Sequence, residues 1–311
     1  VKLKSAKLFG LEFFFIPLKF LHKRYNLILL LSFKAFPNSV YLLSRILGQK
    51  VYWWGHSKNF QKDSFLESFK NFIKIIMVKF SSGVLAYTDK EKSRFILKGV
   101  NSEKITVLNN TVDTNNIFKL KSKVSIESKE ALINKYFLKG KFVIGLIGRL
   151  YNLRNTEDAI KAIINLNKTH KNLILLIIGD GPEKPLLEKK YSNFSNILFI
   201  GSIENEKEIS IYMSIIEFFI NPGLVGLNLV HTMSYGKSTI IIEKKYHSPE
   251  VDFLKNKMNG IISKDSINDF ELNIKRLVDD SALREKLNKN AFDFVSQNLT
   301  IKMMSENFLK I

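Results

Sequence analysis

The sequence predicts an α/β protein built from two Rossmann-like domains, and three observations carry that expectation. Short β-rich apolar runs alternate with helical patterns, with glycine or proline at most switches. In the second half the strand candidates are continuously apolar rather than alternating, the mark of a parallel sheet buried on both faces. The chain has 311 residues with 45% hydrophobic content, enough for two compact domains with a core each.

Element by element, the second half is the clearer. Strands are expected at 142–147, 173–178, 197–200, 218–220, 239–242 and, briefly, 261–262. Between the first two lies 156–166, where Ile160, Ile163 and Ile164 share one helical face. A last helix over 282–297 should cover this domain. In the first half, strands at 27–31, 51–54, 84–87 and 105–108 are separated by helical stretches such as 60–80. Residues 1–24 read as a basic, aromatic-rich helix with no glycine-rich turn, so the expectation is that an opening strand is missing upstream. Residues 121–140 are charged and helical in pattern and are expected to carry the connection between domains. The expected division is therefore 1–130, an incomplete Rossmann-like domain, and 131–311, a second Rossmann-like domain whose last residues cross back.

Composition narrows the class. Lys and Arg total 48 against 29 Asp and Glu, a formal charge of +19 spread along the chain. Such a field attracts polyanions. The dispersed pattern, with no recognition motif, points to an anionic membrane surface and to no nucleic acid. The basic, aromatic segment from Lys2 to Arg24 suits that surface, or equally the core of its own domain. No apolar run approaches the roughly 18 residues of a spanning helix, so the expected place is cytoplasmic, either soluble or peripheral on the inner membrane face. Cysteine is absent, the five histidines show no metal-ligand spacing, and no Asp-x-Asp occurs. The expectation is no metal and no cofactor. No Gly-x-Gly-x-x-Gly follows any strand, which argues against a dinucleotide oxidoreductase.

Open parallel sheets bind ligands beyond the carboxyl ends of their strands. The residues found there are Gly148-Arg149-Leu150 with Arg154, then Gly179-Asp180-Gly181-Pro182, then Gly201-Ser202. After the fourth strand comes Asn221-Pro222-Gly223-Leu224-Val225-Gly226-Leu227, opening a helix that ends near Gly236. Small residues let backbone N–H groups approach a ligand, and two guanidinium groups suit an anion.

These loops resemble those of the group 1 retaining glycosyltransferases, also called family 4, which have the GT-B fold of two Rossmann-like domains facing a cleft. The resemblance covers about residues 50–295. It rests on Tyr52-Trp53-Trp54-Gly55-His56, Val107-Leu108-Asn109-Asn110-Thr111-Val112-Asp113, Gly148-Arg149-Leu150 with Arg154, and Ile178-Gly179-Asp180-Gly181-Pro182. His231-Thr232-Met233-Ser234-Tyr235-Gly236, Pro249-Glu250 and Asn259-Gly260 complete it. It implies that Arg149 and Arg154 grip the donor diphosphate, aided by the helix starting near Gly226. It implies donor binding by Gly148, Gly179, Asp180, Gly181, Gly223, Val225, Gly226, Leu227 and His231. His56 is expected beside the sugar, so His56, Arg149 and Arg154 are the catalytic candidates. One departure stands out: the two glutamates that flank seven residues in most of the family are Gly223 and His231 here. A branch of the family in surface-polysaccharide synthesis is similar in this respect.

The implied activity is metal-independent transfer, with retention, of a sugar from a nucleotide sugar to a glycan or lipid-linked glycan acceptor in bacterial surface polysaccharide synthesis. The competing expectation is a catalytically inactive nucleotide-binding or scaffold protein of the same fold.

Overall fold

A computed structural model describes residues 5–8, 11–14, 27–30, 42, 44–57 and 65–311. Contacts divide the chain into two units, Val1–Asn109 with Met303–Ile311, and Asn110–Lys302.

In the first unit, β1 (Ser5–Leu8) and β2 (Leu11–Phe14) pair antiparallel, with Ser5 opposite Phe14 and Leu8 opposite Leu11. This corrects the expected helix over 1–24 for the described part of it. The cross-strand pairs, with Ala6 opposite Phe13 and Lys7 opposite Glu12, outweigh the helical pattern. The remainder of that segment lies outside the described residues, as do 60–64 of the helix expected over 60–80.

The strands β3 (Ile28–Leu30), β4 (Val51–Trp54), β5 (Gly83–Ala86) and β6 (Ile105–Val107) form a parallel sheet in sequence order. Helices α1 (Phe65–Phe80) and α2 (Asp89–Leu97) connect them. The core joins Val51, Trp53, Val84 and Ala86 to Phe95 of α2. Thr88 caps α2, its side chain accepting from the Glu91 N–H.

The second unit begins with α3 (Thr114–Lys121) and α4 (Ile126–Lys135). Its parallel sheet comprises β7 (Phe142–Ile147), β8 (Leu173–Ile178), β9 (Ile197–Gly201), β10 (Phe218–Asn221), β11 (Thr239–Ile242) and β12 (Ile261–Ser263), in the order β12-β11-β10-β7-β8-β9. Both faces are covered. Ile144, Leu175 and Ile177 pack with α5 (Thr156–Leu166) and α9 (Ile267–Asp279). Val143, Ile174 and Leu176 pack with Ile117, Leu132 and α7 (Glu206–Ile215). Between them run α6 (Lys184–Lys190) and α8 (Asn228–Ser234), and α10 (Ser281–Asn298) follows; α11 (Ile301–Phe308) counts with the first unit from Met303 onward.

The division therefore falls at Asn109/Asn110, ahead of the expected 130/131. Residues 110–140 are charged outward, but Ile117, Leu132 and Leu138 face the second sheet and join its core. The chain lays β7, β8 and β9 to one side and returns to place β10 on the other side of β7. That reversal opens a crevice at the carboxyl ends of β7 and β10.

Candidate functional site

The loops at that end of the second sheet interlock through their glycines. A Cβ on Gly179 would lie 2.0 Å from the Gly148 carbonyl oxygen, and one on Gly181 2.1 Å from that of Leu150. One on Gly148 would meet the Arg154 guanidinium at 2.1 Å. No side chain fits at any of the three. Hydrogen bonds lock the same approach: Gly148 N–H donates to the Ile178 carbonyl, Leu150 N–H to that of Asp180 and Gly179 N–H to that of Gly201.

Behind these loops is a cavity of about 490 Å³. Its rim is Gly148, Arg149, Gly179, Asp180 and Gly181, and its apolar wall is Ile147, Ile178, Ile203 and Ile209. A polar, basic rim over an apolar wall suits an anionic ligand with a flat organic part. Arg149 is exposed at the rim. The Asp180 carboxylate accepts from the Gly181 N–H at 2.6 Å, which fixes the turn.

Arg154 takes a different part. It is only 6% exposed, and its guanidinium donates to the Leu224 carbonyl at 2.7 Å and, weakly, to that of Arg149 at 3.5 Å. Burial pushes its pKa down. It bridges the loop after β7 to the loop after β10 and holds a positive charge beneath the rim.

The loop after β10 is engaged internally. Gly223 N–H donates to the Asn221 side chain, Leu224 N–H to the Leu153 carbonyl and Gly226 N–H to the Asn228 side chain. Val225 N–H donates to Nδ1 of His247, whose Nε2 donates to the Ile242 carbonyl at 2.8 Å. One ring nitrogen accepts and the other donates, so His247 is neutral here, and burial depresses its pKa. Sequence reasoning passed over His247, since no spacing marks a buried latch. Gly223 is buried, and a Cβ there would meet the Arg154 and Leu153 backbone at 2.3 Å. Leu227 is 38% exposed at the start of α8.

His231 lies on α8, one-seventh exposed. Its Nε2 is 2.8 Å from Oε1 of Glu206, on the first turn of α7. The Tyr235 hydroxyl donates to the same oxygen at 2.7 Å. Burial pushes Glu206 upward, but the hydrogen bonds of His231 and Tyr235 and the charge of His231 outweigh it, so its pKa is net lowered. Tyr235 is pushed up, by burial first and then by Glu206. A carboxylate from α7 therefore stands against the imidazole. Glu206 had no motif to announce it. Its helix also carries Ile209 of the cavity wall.

Two further sequence motifs meet within this unit, where Asn110 Nδ2 donates to Glu250 Oε1 at 2.8 Å. Glu250 is buried, which fits a structural tie.

His56 belongs to the first unit, in the turn after β4. Its ring centroid is 5.0 Å from that of Tyr87. Burial lowers its pKa to about 4, helped by the charge of Lys74, so it is neutral near pH 7. The turn is clamped by α2: the buried Glu91 accepts from the Ser57 N–H at 2.7 Å, and Lys98 donates to the Ser57 carbonyl. Lys74, 8% exposed, stands 5.5 Å from the Trp53 ring, and burial lowers its pKa to about 8.

Among the described residues, no group of three or more His, Asp or Glu is arranged to hold a metal ion. None of the described helices is long and apolar enough to cross a membrane.

Comparison with known proteins adds three findings. Residues 128–294 match the family described as glycosyl transferases group 1. A glycosyltransferase of Methanocaldococcus jannaschii is 27% identical over 232 residues, 71% of this chain and 58% of that protein. The alpha-monoglucosyldiacylglycerol synthase of Acholeplasma laidlawii is 29% identical over 150 residues, 45% of this chain and 36% of that protein. The chain thus spans less than two thirds of the length of these relatives. Among solved structures, Anabaena HepE in complex with UDP has a TM-score of 0.75 at 17% identity, over 92% of this chain and 78% of that one. A glycosyltransferase from Rickettsia africae has a TM-score of 0.73 at 16% identity, over 92% and 75% respectively. These two likenesses establish the fold, with two Rossmann-like units of the GT-B type.

Proposed function

The chain belongs to the group 1 glycosyltransferases, and from that premise we propose that it transfers a sugar from a nucleotide diphosphate sugar to a glycan or lipid-linked glycan. One observation carries the reading: the 490 Å³ cavity at the carboxyl ends of β7, β8 and β9, with Arg149 on its rim and Arg154 buried beneath it. The apolar wall of Ile178, Ile203 and Ile209 takes the base, and the basic rim takes the diphosphate. HepE was solved with UDP and with UDP-glucose, so a uridine nucleotide is the first donor to test.

During transfer, negative charge builds on the departing diphosphate. Arg149 is free to contact it, and Arg154 adds a fixed positive charge whose orientation is set before the ligand arrives. The Glu206–His231 pair presents an oriented imidazole for a ribose hydroxyl. His56, neutral near pH 7, serves beside the sugar as a hydrogen-bonding group. We read the reaction as retaining and metal-independent, as the motif resemblance implies. The surface-polysaccharide role is likewise proposed from the motif resemblance. On this reading the enzyme works at the cytoplasmic membrane face, its excess cations drawn to anionic lipid.

A second reading is an inactive nucleotide-binding or scaffold protein. The observation in its favour is Gly223, where the packing leaves no room for the carboxylate usual in the family.

Calorimetry with UDP, GDP, TDP and their sugars, on this chain and on Arg149→Ala, tests the donor site. One nucleotide should bind, and the substitution should weaken it by about 1.5–3 kcal/mol, the size of a charge-assisted contact. Binding of none would sink the donor assignment. Binding with no transfer to any glycan acceptor and no donor hydrolysis would move the scaffold reading ahead.

A further inference from the structure

A second cavity, of about 420 Å³, lies in the same unit at the opposite end of the sheet from the donor loops. It sits where α8 has ended and β11 has not begun, beside the last turns of α3 and α7 and the first turn of α4. Three ammonium groups border it, those of Lys121, Lys129 and Lys237. None has an acidic partner or a hydrogen bond among the described residues. Nearby acids are otherwise engaged or turned away: Glu217 is held by Arg284 at 3.3 Å, and Glu127 is exposed on the first turn of α4 and outside the lining.

Two of the three cations are held in place, and Lys129 is exposed at the edge of the cavity. Lys121 Nζ stands 3.9 Å above the Phe292 ring centroid. It also passes over Gly236, where a Cβ would lie 3.1 Å from it, so the bare backbone makes room for the ammonium. Lys237 is half-buried under the turn that ends α8, and burial lowers its pKa to about 8; the charge of Glu217 opposes the shift, and those of Lys121, Lys129 and Arg284 add to it. A cation kept where charge is costly, with two more beside it and the one acid within reach, Glu217, bound to Arg284, is a site short of an anion. Ser125, the N-cap of α4, also lines the cavity. Val124, Ile126 and Met213 form an apolar side against which the carbon part of a ligand can lie.

We propose that this cavity binds a phosphate ester, its phosphoryl group held by Lys121, Lys129 and Lys237 and its organic part against Val124, Ile126 and Met213. A phosphoryl group, with two or three unesterified oxygens in tetrahedral array, matches three ammonium groups better than a planar carboxylate does, and the volume exceeds what bare phosphate fills. The site is separate from the donor cavity, with which it shares no lining residue. The same chemistry is offered by a soluble phosphate ester and by a phospholipid headgroup.

The test is calorimetry at fixed ionic strength with inorganic phosphate, glycerol 3-phosphate and acetate, on the wild type, Lys237→Met, Lys121→Gln and Arg149→Ala. The expected result is uptake of glycerol 3-phosphate over acetate, unchanged in Arg149→Ala and weakened about tenfold or more in Lys237→Met, the scale of one charge-assisted contact. Circular dichroism checks that each variant is folded, and Lys121→Gln, at an exposed position, serves if Lys237→Met is not. A parallel sedimentation arm uses phosphatidylglycerol and phosphatidylcholine vesicles. Lysine-dependent binding to the former alone identifies the source as a headgroup, whereas saturable binding of the soluble ester alone identifies a metabolite. Absence of binding in both arms, or binding that Arg149→Ala removes and the lysine variants do not, overturns the proposal.

Discussion

Replacing Glu206 by glutamine isolates what its charge does. The carboxylate receives His231 at 2.8 Å and Tyr235 at 2.7 Å on one oxygen, with the His231 and Glu206 side chains 14% and 28% exposed. A charge-assisted bond exceeds a neutral one by about 1 kcal/mol, and partial exposure discounts the pair, so the expected loss is about 1–2 kcal/mol. That is roughly 5- to 30-fold in a local opening equilibrium. Hydrogen exchange read by mass spectrometry over residues 206–215 and 228–235 measures it directly. The pH dependence follows from the lowered pKa of Glu206. A depressed carboxylate contributes stability that is present above its unfolded value and lost as pH falls through its folded value. The difference between wild type and Glu206→Gln should therefore be full at neutral pH and close in acid below the ordinary glutamate range. Unchanged exchange at neutral pH, or a difference that persists undiminished in acid, would refute the assignment of charge to this contact.

Further outcomes follow from the same geometry. Arg149→Ala should weaken nucleotide binding with no change in thermal midpoint. Arg154→Ala should lower both, because the buried guanidinium also bridges two loops; a midpoint unchanged by Arg154→Ala would contradict that division of labour. Gly223→Glu, which reinstates the glutamate usual in the family, should destabilise the second unit by about 1–3 kcal/mol or more, since even a Cβ meets backbone at 2.3 Å. A well-folded, more active Gly223→Glu enzyme would show the loop to be freer than its packing indicates. His247→Leu should cost about 1–3 kcal/mol by leaving the Val225 N–H without its acceptor. Because burial lowers the His247 pKa, the wild type should lose stability as pH falls below the ordinary histidine value, and the variant should lose less over that window, measured by urea titration.

The second unit was legible because its strands are continuous apolar runs. Each of 142–147, 173–178 and 239–242 coincides with an observed strand. The loops after them were legible because only small residues permit such close backbone approach. Elsewhere the signals were weak for identifiable reasons. Residues 110–140 present only Ile117, Leu132 and Leu138 to the core, so their charge masked their membership of the second unit. Residues 5–8 and 11–14 have mixed apolar and charged character at both periods, and pairing decided them. The Glu206–His231 contact joins residues 25 apart on two helices, and no period or motif encodes it. Arg154 was visible as a cation but not as a buried bridge, since spacing from Arg149 says nothing about the Leu224 carbonyl.

The interlocked glycines also bear on how substitution data for this protein should be interpreted. Gly148, Gly179 and Gly181 each stand against backbone or a buried guanidinium within about 2 Å of where a side chain would begin. In a saturation library scored by turnover alone, all three would rank with the reacting groups, although they contribute no functional group. Scoring abundance alongside turnover separates the two kinds of intolerance: Arg149 would lose turnover and keep abundance, whereas the glycines would lose both together.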